Sequence, residues 1–259
     1  MSTTPLHRQP DIQRIDVRGL CKSFQLAGAA IEAVRDVSFR VRRGEFVALL
    51  GPSGSGKSTI LNMIATLIKP SSGQILIDGA PVVPGKATPD VGYIFQRDTL
   101  FPWRTVAGNI GYGLQLAGVS PAEQKERIAA CVAQAGLRGF EDAYPSALSG
   151  GMRQRAALMR TLVVEPQVLL MDEPCSALDP ISTGKIEELI LELKKRFSIV
   201  IVTHNLGQAI RISDHLAYFY VERDKHSRYG RLHEYGPTHE LVESPKSESL
   251  KSYLTGKIG

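Results

Sequence analysis

No run of about eighteen apolar residues occurs in this 259-residue chain, so no segment reads as a membrane-spanning helix. The opening stretch, Met1 to Asp16, is polar with scattered charge and lacks the apolar core of a secretory leader. The expectation is a soluble protein on the cytoplasmic side. Cysteine is scarce: Cys21, Cys131 and Cys175 are odd in number and lack metal-ligand spacing. That excludes a disulfide framework and reads as reduced thiols. Internal repeats and low-complexity tracts are absent. So is a strong excess of one charge sign, because 31 Lys and Arg stand against 26 Asp and Glu, interleaved along the chain. A net charge of +5 spread in this way does not point to nucleic acid, and no nucleic-acid partner is expected. The densest basic stretch, Arg223 to Arg231, lies away from the Gly-rich motif described next. It suits contact with an anionic lipid leaflet or a membrane protein.

What the chain does have is a sequence of apolar segments with clear punctuation. Ile15 to Phe24 and Val37 to Val41 read as strands of an N-terminal antiparallel region. Phe46 to Leu50 is a short apolar run that ends at a Gly-rich loop. From Lys57 to Ile68 the spacing of Ile60, Leu61, Ile64 and Leu67 predicts a helix. Gln74 to Ile77 followed by Asp78-Gly79 reads as strand and turn, and Val91 to Phe95 as another strand. From Trp103 to Tyr144 strand signals vanish. Pro121 opens a helix that Gly136 stops, and a further helix runs from Gly150 to Val164. This is a helical subdomain, about residues 97–160, inserted into an α/β core. Val168 to Met171 and Ser198 to Thr203 are fully apolar or β-branched strands, with a helix through Ile186 to Phe197 between them. Leu216 to Val221 and Arg231 to Glu234 predict a late hairpin with a basic tip. A helical tail covers residues 241–259, with its helix near Pro245 to Leu254, after a main domain over 15–240.

The loop matches G-x-x-x-x-G-K-[ST]: Gly51, Pro52, Ser53, Gly54, Ser55, Gly56, Lys57, Ser58, then Thr59. Its glycines let successive N–H groups converge on phosphate oxygens, and the following helix adds its positive end. Lys57 supplies a point charge to the terminal phosphates, Ser58 a magnesium ligand and Thr59 a phosphate hydrogen bond. Asp172 ends an apolar strand, where it would hold magnesium through a water, and Glu173 follows as the base that polarises the attacking water. ATP and Mg2+ are the expected ligands.

Together Gly51–Thr59, Gln96, Leu148–Gly151, Val168–Glu173, Ser176–Asp179 and His204 resemble the ATP-binding subunit of an ABC transporter. The likeness extends over about residues 15–234. It implies an α/β P-loop NTPase (RecA-like) core with the antiparallel β region and the inserted helical subdomain. It also implies that Phe24 stacks on adenine, that Gln96 touches magnesium, and that His204 contacts the γ-phosphate. Ser149, Gly150 and Gly151 resemble the signature loop, which acts in trans on the partner's nucleotide. One chain has one phosphate loop, so this second anion site needs a second ATP-binding subunit, expected to be an identical one. Asp179 resembles the loop that crosses the dimer interface. Met152 departs from the glutamine common in the fifth place of the signature. The further partners implied are two transmembrane permease subunits and, indirectly, an extracytoplasmic solute-binding protein. The location implied is the cytoplasmic face of the membrane, as a peripheral subunit. A soluble ABC-type ATPase of DNA repair or translation is the reading from another class. The chain has neither the coiled coils nor the tandem nucleotide domains usual there.

The two halves resemble different importers. Phe95 to Arg104, with Asn109, Gly113 to Gln115 and Leu148 to Arg155, is similar to the nitrate/sulfonate/taurine group. Asp172 to Ile190, Thr203 to Asn205 and Tyr253 to Gly259 resemble the phosphate importer ATPase. In the family the permease docks beside Gln96 and the helical subdomain. The nitrate/sulfonate type is therefore the expectation, and the phosphate importer the alternative.

Overall fold

A computed structural model describes residues 13–26, 29–86, 88, 90–224 and 227–257. The expected hairpin tip at Lys225 and the final Ile258 and Gly259 lie outside them.

Two long strands, β1 (Gln13–Leu26) and β2 (Ala29–Arg42), pair antiparallel over most of their length. The chain then enters β3 (Phe46–Leu50), turns through the Gly-rich loop, and forms α1 (Lys57–Ile64). This helix stops four residues short of the predicted Ile68. Thr66 adopts φ 61°, a left-handed conformation, and its hydroxyl bonds the Lys86 carbonyl. β4 (Ser72–Ile77) and β5 (Ala80–Pro81) form a hairpin about Asp78-Gly79, both at positive φ. Pro81 is tolerated because β5 is an edge strand. β6 (Val91–Ile94) follows.

Helices then take over: α2 (Val106–Ile110), α3 (Tyr112–Leu116), α4 (Pro121–Gln134) and α5 (Gly150–Leu162). Ser120 caps α4 through its hydroxyl, with Pro121 in the first turn. The remainder alternates: β7 (Val168–Asp172), α6 (Pro180–Leu193), β8 (Ser198–Val202), α7 (Leu206–Ile212), β9 (His215–Arg223), β10 (Arg228–Pro237), α8 (Thr238–Glu243) and α9 (Glu248–Leu254).

The strands join in the order β5-β4-β1-β2-β10-β9-β3-β8-β7-β6. β3, β6, β7, β8 and β9 run parallel. A single bridge, Gly230 to Val34, joins this part to the antiparallel strands. The sheet curls so that α1 lies between the two parts. Val47, Leu49, Leu170 and Val200 face α1 and the inner side of β1 and β2. Phe46, Ala48, Leu169 and Ile199 face the helices on the other side. Strands buried on both faces are apolar throughout, as the sequence showed. In the C-terminal region α9 packs into the second core, where Tyr253 meets Tyr218 at 5.4 Å between ring centroids.

Gly51 is the pivot between β3 and the loop. It sits at φ 139°, and a Cβ there would overlap the Phe219 carbonyl of β9. Gly51→Ala is therefore expected to destabilise the protein by at least about 3 kcal/mol in urea unfolding. Gly79→Ala, at φ 79° but facing open space, should lose only about 1 kcal/mol. Equal losses at both positions would remove the steric argument.

Candidate functional site

The loop after β3 closes on itself around Lys57. Gly56 leads directly into α1 at φ 83° with no side-chain cap, so the first N–H groups of the helix open into the loop. A side chain at Gly56 would collide with Val34 and the Ala33 carbonyl, so the glycine lets β2 pack against the loop. The Lys57 side chain is buried. Its Nζ donates to the carbonyls of Gly51 (2.8 Å) and Pro52 (2.9 Å) and to Ser55 Oγ (3.2 Å). Burial holds its pKa below the ordinary value, and the carboxylates of Glu173 and Asp172 oppose that shift.

β7 delivers two carboxylates to the same place. Asp172 accepts from Ser58 Oγ at 2.9 Å and from the Tyr93 hydroxyl at 3.3 Å. Burial raises the Asp172 pKa, with the neighbouring Glu173 adding to it, while the Ser58 and Tyr93 bonds oppose. A divalent cation beside it would favour the ionised form. The oxygen donors Ser58 and Asp172 suit magnesium, a hard ion. Glu173 has φ 47°, a conformation rare for a side chain of this size. Its N–H bonds the Val202 carbonyl at 2.9 Å, which holds the strained backbone in place. One carboxylate oxygen of Glu173 accepts from Gln96 Nε2 at 3.2 Å and lies 3.3 Å from His204 Nδ1.

A cavity of about 240 Å3 is walled by the loop, from Gly51 to Thr59, and by Glu173 and His204. The fold thus brings the phosphate loop, both carboxylates, Gln96 and His204 together from four separate stretches of chain. The converging N–H groups, the buried ammonium and the oxygen pair fit a magnesium nucleotide.

Other expected residues stand apart from this cavity. Ser149 caps α5 by accepting from the Met152 N–H at 3.3 Å. Gly150 lies beside Leu178, and Gly151 is so close to Ser182 that no side chain fits there. None of the three lines the cavity. Asp179 caps α6, accepting from Ile181 and Ser182 N–H at 3.0 Å. Phe24 is half exposed on β1, opposite Ile31, with the Lys22 ammonium 4.8 Å from its ring centroid. Tyr93 was not foreseen. Its only trace in the sequence was a polar-tipped aromatic in an otherwise buried strand.

A profile described as ABC transporter matches residues 34–176. The phosphate import ATP-binding protein PstB of Corynebacterium glutamicum is 40% identical over 246 residues, covering 88% of this chain and 93% of that protein. PstB of Corynebacterium efficiens matches at the same identity and coverage. An uncharacterized ABC transporter ATP-binding protein of Methanocaldococcus jannaschii, MJ0412, is 41% identical over 204 residues, with 78% and 75% covered. Among solved structures, the dimeric MJ0796 bacterial ABC transporter cassette superposes with a TM-score of 0.76 at 30% identity, over 86% of this chain and 98% of that one. The dimeric post-hydrolysis state of MJ0796 bound to ADP and Pi gives 0.74 at the same identity and coverage.

Proposed function

The chain belongs to the ABC transporter family, as an ATP-binding subunit that hydrolyses ATP with magnesium, and from that premise we propose that it energises a phosphate importer. The observation that carries this is the 40% identity, over 88% of the chain, to proteins named for phosphate import. The nitrate/sulfonate expectation drawn from residues 95–115 and 148–155 is not supported by these relatives. The phosphate likeness of Asp172 to Ile190 agrees with them.

In this reading the loop and Lys57 hold the triphosphate. Ser58 and Asp172 would hold magnesium, which when bound would supply positive charge to the phosphates, and Tyr93 orients the Asp172 carboxylate. Glu173 takes the proton of the attacking water, positioned by Gln96 and His204. Ser149, Gly150 and Gly151, standing off their own cavity, serve the nucleotide of a second copy. Phe24 is the surface on which the base stacks. No helix among the described residues is long and apolar enough to cross a membrane. In this reading two permease subunits hold the protein at the cytoplasmic face.

The test is purification of the tagged protein from its own membranes, with phosphate uptake measured in cells lacking it. Co-purification of a phosphate-type permease pair, with uptake lost, is the expected result. A nitrate- or sulfonate-type permease with intact phosphate uptake would return the solute to the other reading. Ribosomes or DNA in place of any permease would overturn the importer.

A further inference from the structure

Arg228 and Gly230, within the basic stretch, are remote from the phosphate loop in sequence but not in the fold. Gly230 of β10 lies so close to the carbonyls of Ser55 and Ala33 that no side chain fits between them. The hairpin is clamped at this point. Arg35 of β2 pairs with Asp224 at 2.8 Å, donates to Ser227 at 2.9 Å, and stacks over the Tyr229 ring at 3.5 Å. The clamp sets Arg228 beside the loop, with one guanidinium nitrogen 3.6 Å from where a Cβ of Gly54 would stand.

The register places Arg223 directly opposite Arg228. Like charges in that position destabilise an antiparallel pair. Among the described residues neither guanidinium makes a hydrogen bond or ion pair, whereas Arg35 and Arg231 of the same region both do. Between the two arginines and Pro52 lies a cavity of about 540 Å3, completed by Tyr220, Val221 and Glu222. Glu222, its one acidic wall residue, is already engaged by His233 at 2.9 Å, Tyr229 at 3.1 Å and Arg231 at 3.7 Å. The cavity therefore keeps two exposed guanidinium groups without an ion pair, with Arg228 beside Gly54 of a loop that is itself built to attract anions.

We propose that Arg223 and Arg228 form a second anion subsite on the phosphate loop, one that takes a phosphate-type anion. Planar guanidinium forks match phosphate oxygens, and an anion between them would relieve their mutual repulsion. Its source is either the phosphates of the bound nucleotide or free inorganic phosphate. The subsite rests on nucleotide binding by the loop and not on the importer reading, so loss of the permease assignment leaves it standing.

The test compares the parent protein with Arg223→Gln/Arg228→Gln and Arg223→Lys/Arg228→Lys double variants at low salt, where screening is weakest. ATP affinity is read by titration with a fluorescent ATP analogue. Inorganic phosphate binding is read by calorimetry on protein saturated with magnesium ADP. The glutamine pair should weaken one of the two by about tenfold, or ~1.4 kcal/mol, and the lysine pair, which keeps the charge but not the fork, should restore only part of it. A fall in ATP affinity identifies the nucleotide as the source. Loss of the phosphate heat with ATP affinity intact identifies free phosphate. Neither readout moving, with the thermal unfolding midpoint unchanged, would overturn the subsite.

Discussion

Glu173→Gln is expected to bind ATP within a few-fold of the parent while hydrolysing it at least about a thousand times more slowly. The reason is local. Glutamine has the shape of glutamate, so it can occupy the same φ 47° turn at the end of β7 and keep its contact with His204. Its amide cannot take a proton from water. The loop and Lys57, proposed to hold the nucleotide, are unchanged by the substitution. Binding and chemistry are thereby separated, and the protein should accumulate as an ATP-bound dimer by size-exclusion chromatography with light scattering. Phosphate release and nucleotide titration measure the two halves. Hydrolysis at the parent rate would remove Glu173 from the role of base. Loss of ATP binding would mean that the substitution had collapsed the turn, a different failure that unfolding midpoints would reveal.

The parts of this site that the residues themselves give are those made by neighbours in the chain, whereas Gln96 and His204, which meet Glu173 from distant stretches, came from the family resemblance. The phosphate loop is one strand–turn–helix unit, and its glycines are required by its own backbone. Asp172 and Glu173 follow from a strand whose every residue is apolar until its end. Tyr93 could not be read in the same way. Its bond to Asp172 depends on β6 lying beside β7 with Tyr93 opposite Leu170, a register set by sheet assembly. The end of α1 was missed for a related reason. Leu67 continues the helical spacing, yet it is exposed beyond the left-handed turn at Thr66. Periodicity reports a face and is silent on where the backbone reverses. The basic hairpin shows the same limit on a larger scale. β10 is inserted between β2 and β9, so residues far downstream of the loop become its neighbours. The order of strands in a sheet is long-range information, and no window of sequence carries it.

Ser149→Asp tests the least local of the assignments, that Ser149 serves a nucleotide other than the one its own chain binds. Ser149 is exposed, and its structural work is to cap α5 through the Met152 N–H. Aspartate caps as well as serine does, and its charge suits a helix N-terminus. The folded monomer should therefore be as stable as the parent within about 1 kcal/mol. The same carboxylate would stand where the signature loop is proposed to meet the partner's γ-phosphate, and there it repels. The expected pattern is unchanged ATP affinity in the monomer, turnover down at least about a hundredfold, and no ATP-dependent dimer when combined with Glu173→Gln. The magnitude follows from replacing a hydrogen-bond donor with a charge of the wrong sign at a closed, water-poor interface. A signature loop that acted on its own chain's nucleotide would behave differently, because the monomer would then lose ATP affinity. Full turnover in Ser149→Asp would exclude contact with any phosphate and leave Ser149 as a helix cap alone.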